Sequence, residues 1–185
     1  MVPIASLWMP ILGSAVLVFL LSFVVHMLLT YHRTDWARLP AESDVADAIR
    51  RANVAPGDYM TPWAEGPKAM NDPAFIERMK AGPVAVMTVM PAKAPSMGRE
   101  LAQWFVFTII VGVFVAYITG RALPPGADYL EVFRFAGTTA FAAYALGSWP
   151  DSIWYKRKWS TTLKNTVDAL VYALATAGVF GALWP

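Results

Sequence analysis

Asp168 falls in an otherwise apolar stretch near the end of the 185-residue chain, about two helical turns beyond a basic segment. An ionised carboxylate in such surroundings is costly unless it is paired or hydrogen-bonded, and groups of this kind often relay protons or line a substrate path. Lys164, four residues earlier, offers one partner, with both heads reaching toward the interface. A hydrogen bond to a neighbouring helix is another. His26 lies about one turn from the end of the first apolar stretch, at a depth close to that of Asp168. A histidine–carboxylate pair can bind a quinone carbonyl or relay protons. His32 is the second of two histidines. Six residues put it about 240° from His26 on a continuous helix, so the two rings are expected on different faces, and a haem gripped by histidines from two helices is not expected.

Other clusters read as structural. Arg121, Asp128, Glu131 and Arg134 are close in sequence, sum to zero charge and suggest an ion-pair network at a membrane surface. Trp149, Trp154, Tyr155 and Trp159, interleaved with Lys156, Arg157 and Lys158, suit an anchor at an anionic membrane interface. A lipid-headgroup site is the sharper reading of the same residues. The absence of cysteine removes disulfides, thiolate chemistry and iron–sulfur ligation. No phosphate-binding glycine loop, HExxH, GxSxG or dinucleotide fingerprint occurs. The sequence therefore names no catalytic residue, no cofactor and no metal site.

These residues have to be positioned by membrane helices. The chain is 57% hydrophobic and 15% charged, with a mean hydropathy of +0.44. Soluble domains carry roughly 25% charged residues. The deficit is concentrated in four blocks, and the expected fold is an all-α bundle of four transmembrane helices. The first block, 1–30, is long and has no basic residue before it, so it reads as a retained anchor rather than a cleaved signal. The others fall at about 103–120, 128–150 and 162–184, within a membrane region of 99–185. Pro150 is expected to end the third. The Leu-Pro-Pro-Gly turn after Arg121 makes the second and third antiparallel neighbours. Small residues recur along single faces at 112/116/120, 136/140/143/147 and 169/173/177/181, a pattern for close helix packing within the bundle or against another subunit.

Between the first two spans lies a loop of about 68 residues, 31–98, expected to be a small mixed α/β region. A helix is expected at 41–52, a second short helix capped by Asn71, and a buried strand at 84–89. The loop and the 156–158 segment hold most of the Lys and Arg. The positive-inside rule puts both in the cytoplasm and both termini outside, in a bacterial inner membrane. The net charge of +2 is too small to point to nucleic acid.

The pattern GDYM at 57–60 and the stretch SIWYKRKWSTTLK at 152–164 resemble those of uncharacterised bacterial four-helix membrane proteins of about this length. That resemblance covers most of the chain and implies the fold, without an activity. The leading expectation is a non-catalytic accessory or assembly subunit of a membrane complex, with a protein partner or a second copy. The alternative is a small lipid- or quinone-handling protein, with or without catalysis, working near Asp168 and His26. Third is a proton-coupled transporter acting as a dimer.

Overall fold

The computed structural model describes residues 1–94 and 96–185. The chain forms two compact units, Met1–Ala37 with Ser96–Pro185, and Arg38–Pro95.

The first unit is built on four long helices. A helical run from Ile4 to Leu28 has a mean hydropathy of 2.5, and its regular part is α1, Trp8–Phe23. Pro10 sits in the first turn of α1, where a missing N–H leaves little unsatisfied. In the loop unit, α2, α3 and α4 are Glu42–Arg51, Pro67–Met70 and Pro73–Ala81. The next long helix, α5, is Gly98–Ala122, with a mean hydropathy of 2.2. It starts before the apolar block at 103 because Arg99, Glu100 and Leu101 are good helix formers. By length and composition, α5 and the Ile4–Leu28 run are apolar enough to cross a membrane.

The third block divides. Helix α6, Tyr129–Ala145, is capped by Asp128, whose side chain accepts from the Leu130 amide at 2.8 Å. A tight turn at Leu146–Ser148 follows, then α7, Trp149–Trp154. Pro150, expected to end the third helix, instead lies in the first turn of α7, where proline is tolerated. The last helix, α8, is Trp159–Ala182. It opens on threonines, Lys164, Asn165 and Asp168, and the apolar stretch begins only after them.

Helix α1 packs on α5 and α8, α5 on α6, and α6 on α8, so the four close into a ring. Its core includes Leu7, Ile11, Val115, Val132, Ala136 and Phe180. The small-residue faces are used inside this ring. A Cβ on Gly112 would meet Ile11 at 3.3 Å, one on Gly137 would meet Ala177 at 3.1 Å, and one on Gly181 would meet the Tyr129 ring at 2.7 Å. Ala143 and Gly147 depart from the pattern and are exposed. At one end the bundle is tied by Val2, whose amide donates to the Gly120 carbonyl at 2.8 Å, and by Trp184, whose indole donates to the Pro124 carbonyl at 3.0 Å.

The loop unit holds α2 within the expected 41–52, together with α3 and α4. Asp72 caps α4 by accepting from the Ala74 amide at 2.7 Å, where Asn71 was the expected cap. Strand β2, Ala85–Val89, pairs antiparallel with β1, Gly57–Thr61, in the register Gly57 opposite Val89. The strand at 84–89 thus forms, but it is not buried: Val84 is 53% and Val86 48% exposed. Two strands alone have no second layer to cover them.

Candidate functional site

The site is assembled where α1 ends. Beyond Phe23 the helix widens into a π turn, Val24–Leu28, in which the Leu29 amide donates to the Val24 carbonyl five residues back, at 3.1 Å. Such turns recur at functional sites because they re-aim a side chain. Here the side chain is His26. Leu29 is extended, with φ −82° and ψ 145°, and the chain then folds into a tight helical turn, Tyr31–Thr34. This break overturns the expectation that the two histidines stand on different faces. Their rings meet edge to face, with centroids 4.7 Å apart.

Asp168, on the third turn of α8, is buried and receives this turn. Its Oδ2 lies 2.8 Å from His32 Nε2, and its Oδ1 accepts from the Tyr31 hydroxyl. The other ring nitrogen of His32, Nδ1, faces Asp35 Oδ2 at 2.6 Å. His32 therefore sits between two carboxylates. Lys164 does not pair with Asp168. Its Nζ donates to Asp35 Oδ1 at 2.8 Å, to the Tyr31 carbonyl at 2.6 Å and to Thr34 Oγ1 at 2.8 Å. All three ammonium protons are thereby used, pinning the 31–35 turn to α8.

These contacts fix the charge states at the turn. Burial opposes ionisation of Asp35, but the hydrogen bonds from Lys164 and His32 outweigh it and hold the carboxyl below its ordinary range. Burial and the hydrogen bond to the Asp168 carboxylate push the Tyr31 phenol well above its ordinary range, so it remains a donor. Two carboxylates and one ammonium leave one negative charge for the histidines, or a bound cation, to balance.

Asp168 and His26 also line a cavity of about 210 Å³. Its walls include four rings in closed edge-to-face or stacked contact. Trp104 touches Phe107 at 5.4 Å, Phe107 touches Tyr144 at 6.0 Å, Tyr144 touches Tyr172 at 5.7 Å, and Tyr172 returns to Trp104 at 6.3 Å. The Trp104 indole donates to Ser22 Oγ at 2.9 Å, which fixes α5 against α1. Asn165 and Ser148 add polar edges. Tyr172 is 4% exposed, and among the described residues its hydroxyl has no hydrogen-bond partner. A buried hydroxyl left unpaired carries a desolvation cost of about 1–3 kcal/mol. A second, apolar groove of about 510 Å³ shares His26 and Trp104 with this cavity and is otherwise bounded by residues such as Phe19, Phe23 and Leu101.

The remaining sequence candidates lie elsewhere. Among the described residues no ion pair joins Arg121, Asp128, Glu131 and Arg134: Asp128 is spent on its helix cap, and the Arg121 guanidinium lies 5.6 Å from the Tyr117 ring centre. In the 149–159 segment the Trp149 and Trp159 rings meet edge to face at 6.0 Å, and the Trp149 indole donates to Thr166 Oγ1 at 3.2 Å. Trp154 is 76% exposed and Tyr155 is also exposed. Lys156 turns back to the Ile153 carbonyl at 2.9 Å, Arg157 pairs with Asp151 at 3.8 Å, and Lys158 reaches the Thr34 carbonyl at 3.4 Å.

Tyr31, Asp35, Trp104 and Tyr172 are not singled out by sequence reasoning, and His32 is placed there on a different face from His26, outside the site. The signal for His32 and Asp35 was their i, i+3 spacing just past the first apolar block, which brings two side chains into line on a tight helical turn. No protein-family model, curated protein or solved structure matches the chain.

Proposed function

We propose that this chain is an integral protein of a bacterial inner membrane that binds a small amphiphile, a quinone or a lipid, at the His26–Asp168 end of a four-span bundle. In this reading the four long helices cross the bilayer, both termini lie outside, and residues 31–98 and 156–158 face the cytoplasm. The hydropathy of Ile4–Leu28 and α5 supports it, as does the clustering of basic residues in those two segments.

The observation that carries the ligand reading is the buried, unpartnered Tyr172 hydroxyl in a ring-walled cavity that also holds Asp168 and Asn165. An oxygen-bearing head group would accept from that hydroxyl and from the Asn165 amide, with the aromatic rings against its flat or apolar faces. The adjoining groove through His26 and Trp104 would take an apolar tail. The polar network at Asp168 gives the head a proton donor and acceptor at its mouth. The accessory-subunit reading loses part of one support, because Gly112 and Gly120 on α5 and Gly181 on α8, in two of the three small-residue stripes, are packed against this chain's own residues.

The test is to purify the full chain in mild detergent from its source and to quantify co-purifying quinones and phospholipids by mass spectrometry, for the wild type and Tyr172→Phe. The expected result is an amphiphile close to equimolar with the chain, retained several-fold less by Tyr172→Phe. That variant should nevertheless melt at the same temperature or higher once delipidated, since it removes an unpaired buried hydroxyl. The mass identifies quinone or lipid. Equal retention by the variant contradicts the site, and a stoichiometric protein partner with no amphiphile restores the accessory-subunit reading.

A further inference from the structure

We propose that His26, His32 and Asp168 form a binding site for a divalent first-row transition metal. One donor atom from each lies within 4.8 Å of those of the other two. Two imidazole nitrogens and a carboxylate oxygen are a donor set that holds zinc with an open position, or non-haem iron. Donors about 2.1 Å from one tetrahedral ion stand roughly 3.4 Å apart, so the widest separation has to close by up to about 1.4 Å while the His32–Asp168 pair, now 2.8 Å apart, opens by about 0.6 Å. His26 can supply that movement, being exposed and carried on the π turn at the end of α1.

The outer shell separates this cluster from an accidental meeting of polar groups. Asp35 holds His32 by Nδ1 at 2.6 Å, which leaves Nε2 as the inward-facing nitrogen. Lys164 in turn holds the second oxygen of Asp35 at 2.8 Å. The Tyr31 hydroxyl occupies Asp168 Oδ1, which leaves Oδ2 facing the histidines. Metal-ligating histidines are oriented by a carboxylate on the far nitrogen in this way. His32 Nε2 and Asp168 Oδ2 stand 2.8 Å apart, and a metal would take the place between them. The one negative charge left by Asp35, Asp168 and Lys164 favours a cation. Since His26 and Asp168 also line the ring-walled cavity, the open coordination positions face it.

This inference stands on the ligand geometry and does not require the amphiphile. It is tested on the full chain, purified in detergent without a polyhistidine tag and stripped by chelator, by titrating Co²⁺ alone and following its visible absorption. The expected result is saturation at one Co²⁺ per chain with the intense bands of a four- or five-coordinate ion, reversed by Zn²⁺. Asp35→Asn should weaken binding by about 10–100-fold, and His26→Gln by at least as much. His26 is exposed, so its replacement leaves the fold intact even where His32→Gln does not. A spectrum that stays that of the hydrated ion overturns the proposal, and so does an affinity unchanged in His26→Gln.

Discussion

At Asp168 two groups converge on one buried carboxylate, the Tyr31 hydroxyl and the Nε2 edge of His32. Removing the carboxylate leaves the Tyr31 hydroxyl and His32 Nε2 without that partner, so Asp168→Ala is expected to destabilise the folded protein by on the order of 1–3 kcal/mol. Asp168→Asn keeps an oxygen for Tyr31 and offers an amide to neutral His32, and should lie within about 1 kcal/mol of wild type. Thermal unfolding in detergent distinguishes them, and equal losses would contradict the described network. Asp168, His26 and Lys164 were legible in the sequence because polar groups stand out in apolar blocks. Their partners were not. The reading of His26 and His32 assumed one continuous helix, and the extended backbone at Leu29 breaks it. Tyr172 and Trp104 were hidden because an aromatic residue in an apolar block carries no signal of which face it will occupy.

Among the elements, closeness of approach matters most where α5 meets the N-terminal segment. A Cβ on Gly120 would stand 2.7 Å from the Val2 carbonyl oxygen, and that contact is backbone, which cannot rotate away. Gly120→Ala should therefore cost about 1–3 kcal/mol, while Gly98→Ala, with no described residue within 4 Å of the added carbon, should change stability little. A paired melting experiment checks the contrast, and a neutral Gly120→Ala would contradict the packing of α5 on this segment. Of the three small-residue faces, those on α5 and α8 were readable from spacing alone, whereas on α6 only Ala136 and Ala140 are buried and Ala143 and Gly147 are exposed. Helix ends were less so. Arg99 and Glu100, good helix formers, extend α5 ahead of its apolar block, α8 starts at Trp159 rather than 162, and Pro150 starts a helix rather than ending one. The strand at 84–89 was legible from its β-branched residues, whereas its exposure was not, because burial depends on a second layer that sequence alone does not reveal.

For the molecule as a whole, a closed ring of four helices carries a polar site at the end where α1 finishes and α8 begins. The proposed function puts this end at the cytoplasmic face of a protein that crosses the bilayer four times. There the 31–35 turn, the basic 156–158 segment and the ligand cavity would share one membrane surface. Helix α8 is the critical element: its opening turns carry Lys164 and Asp168, so hydropathy alone does not mark it as a span. Reporter fusions at Met1, Ala55, Pro125, Lys158 and Pro185 test the claim directly. The account predicts outside, inside, outside, inside, outside. A cytoplasmic Pro185 would contradict it, because α6 or α8 would then not cross, the Lys158 fusion telling which, and the bundle would not span the bilayer four times.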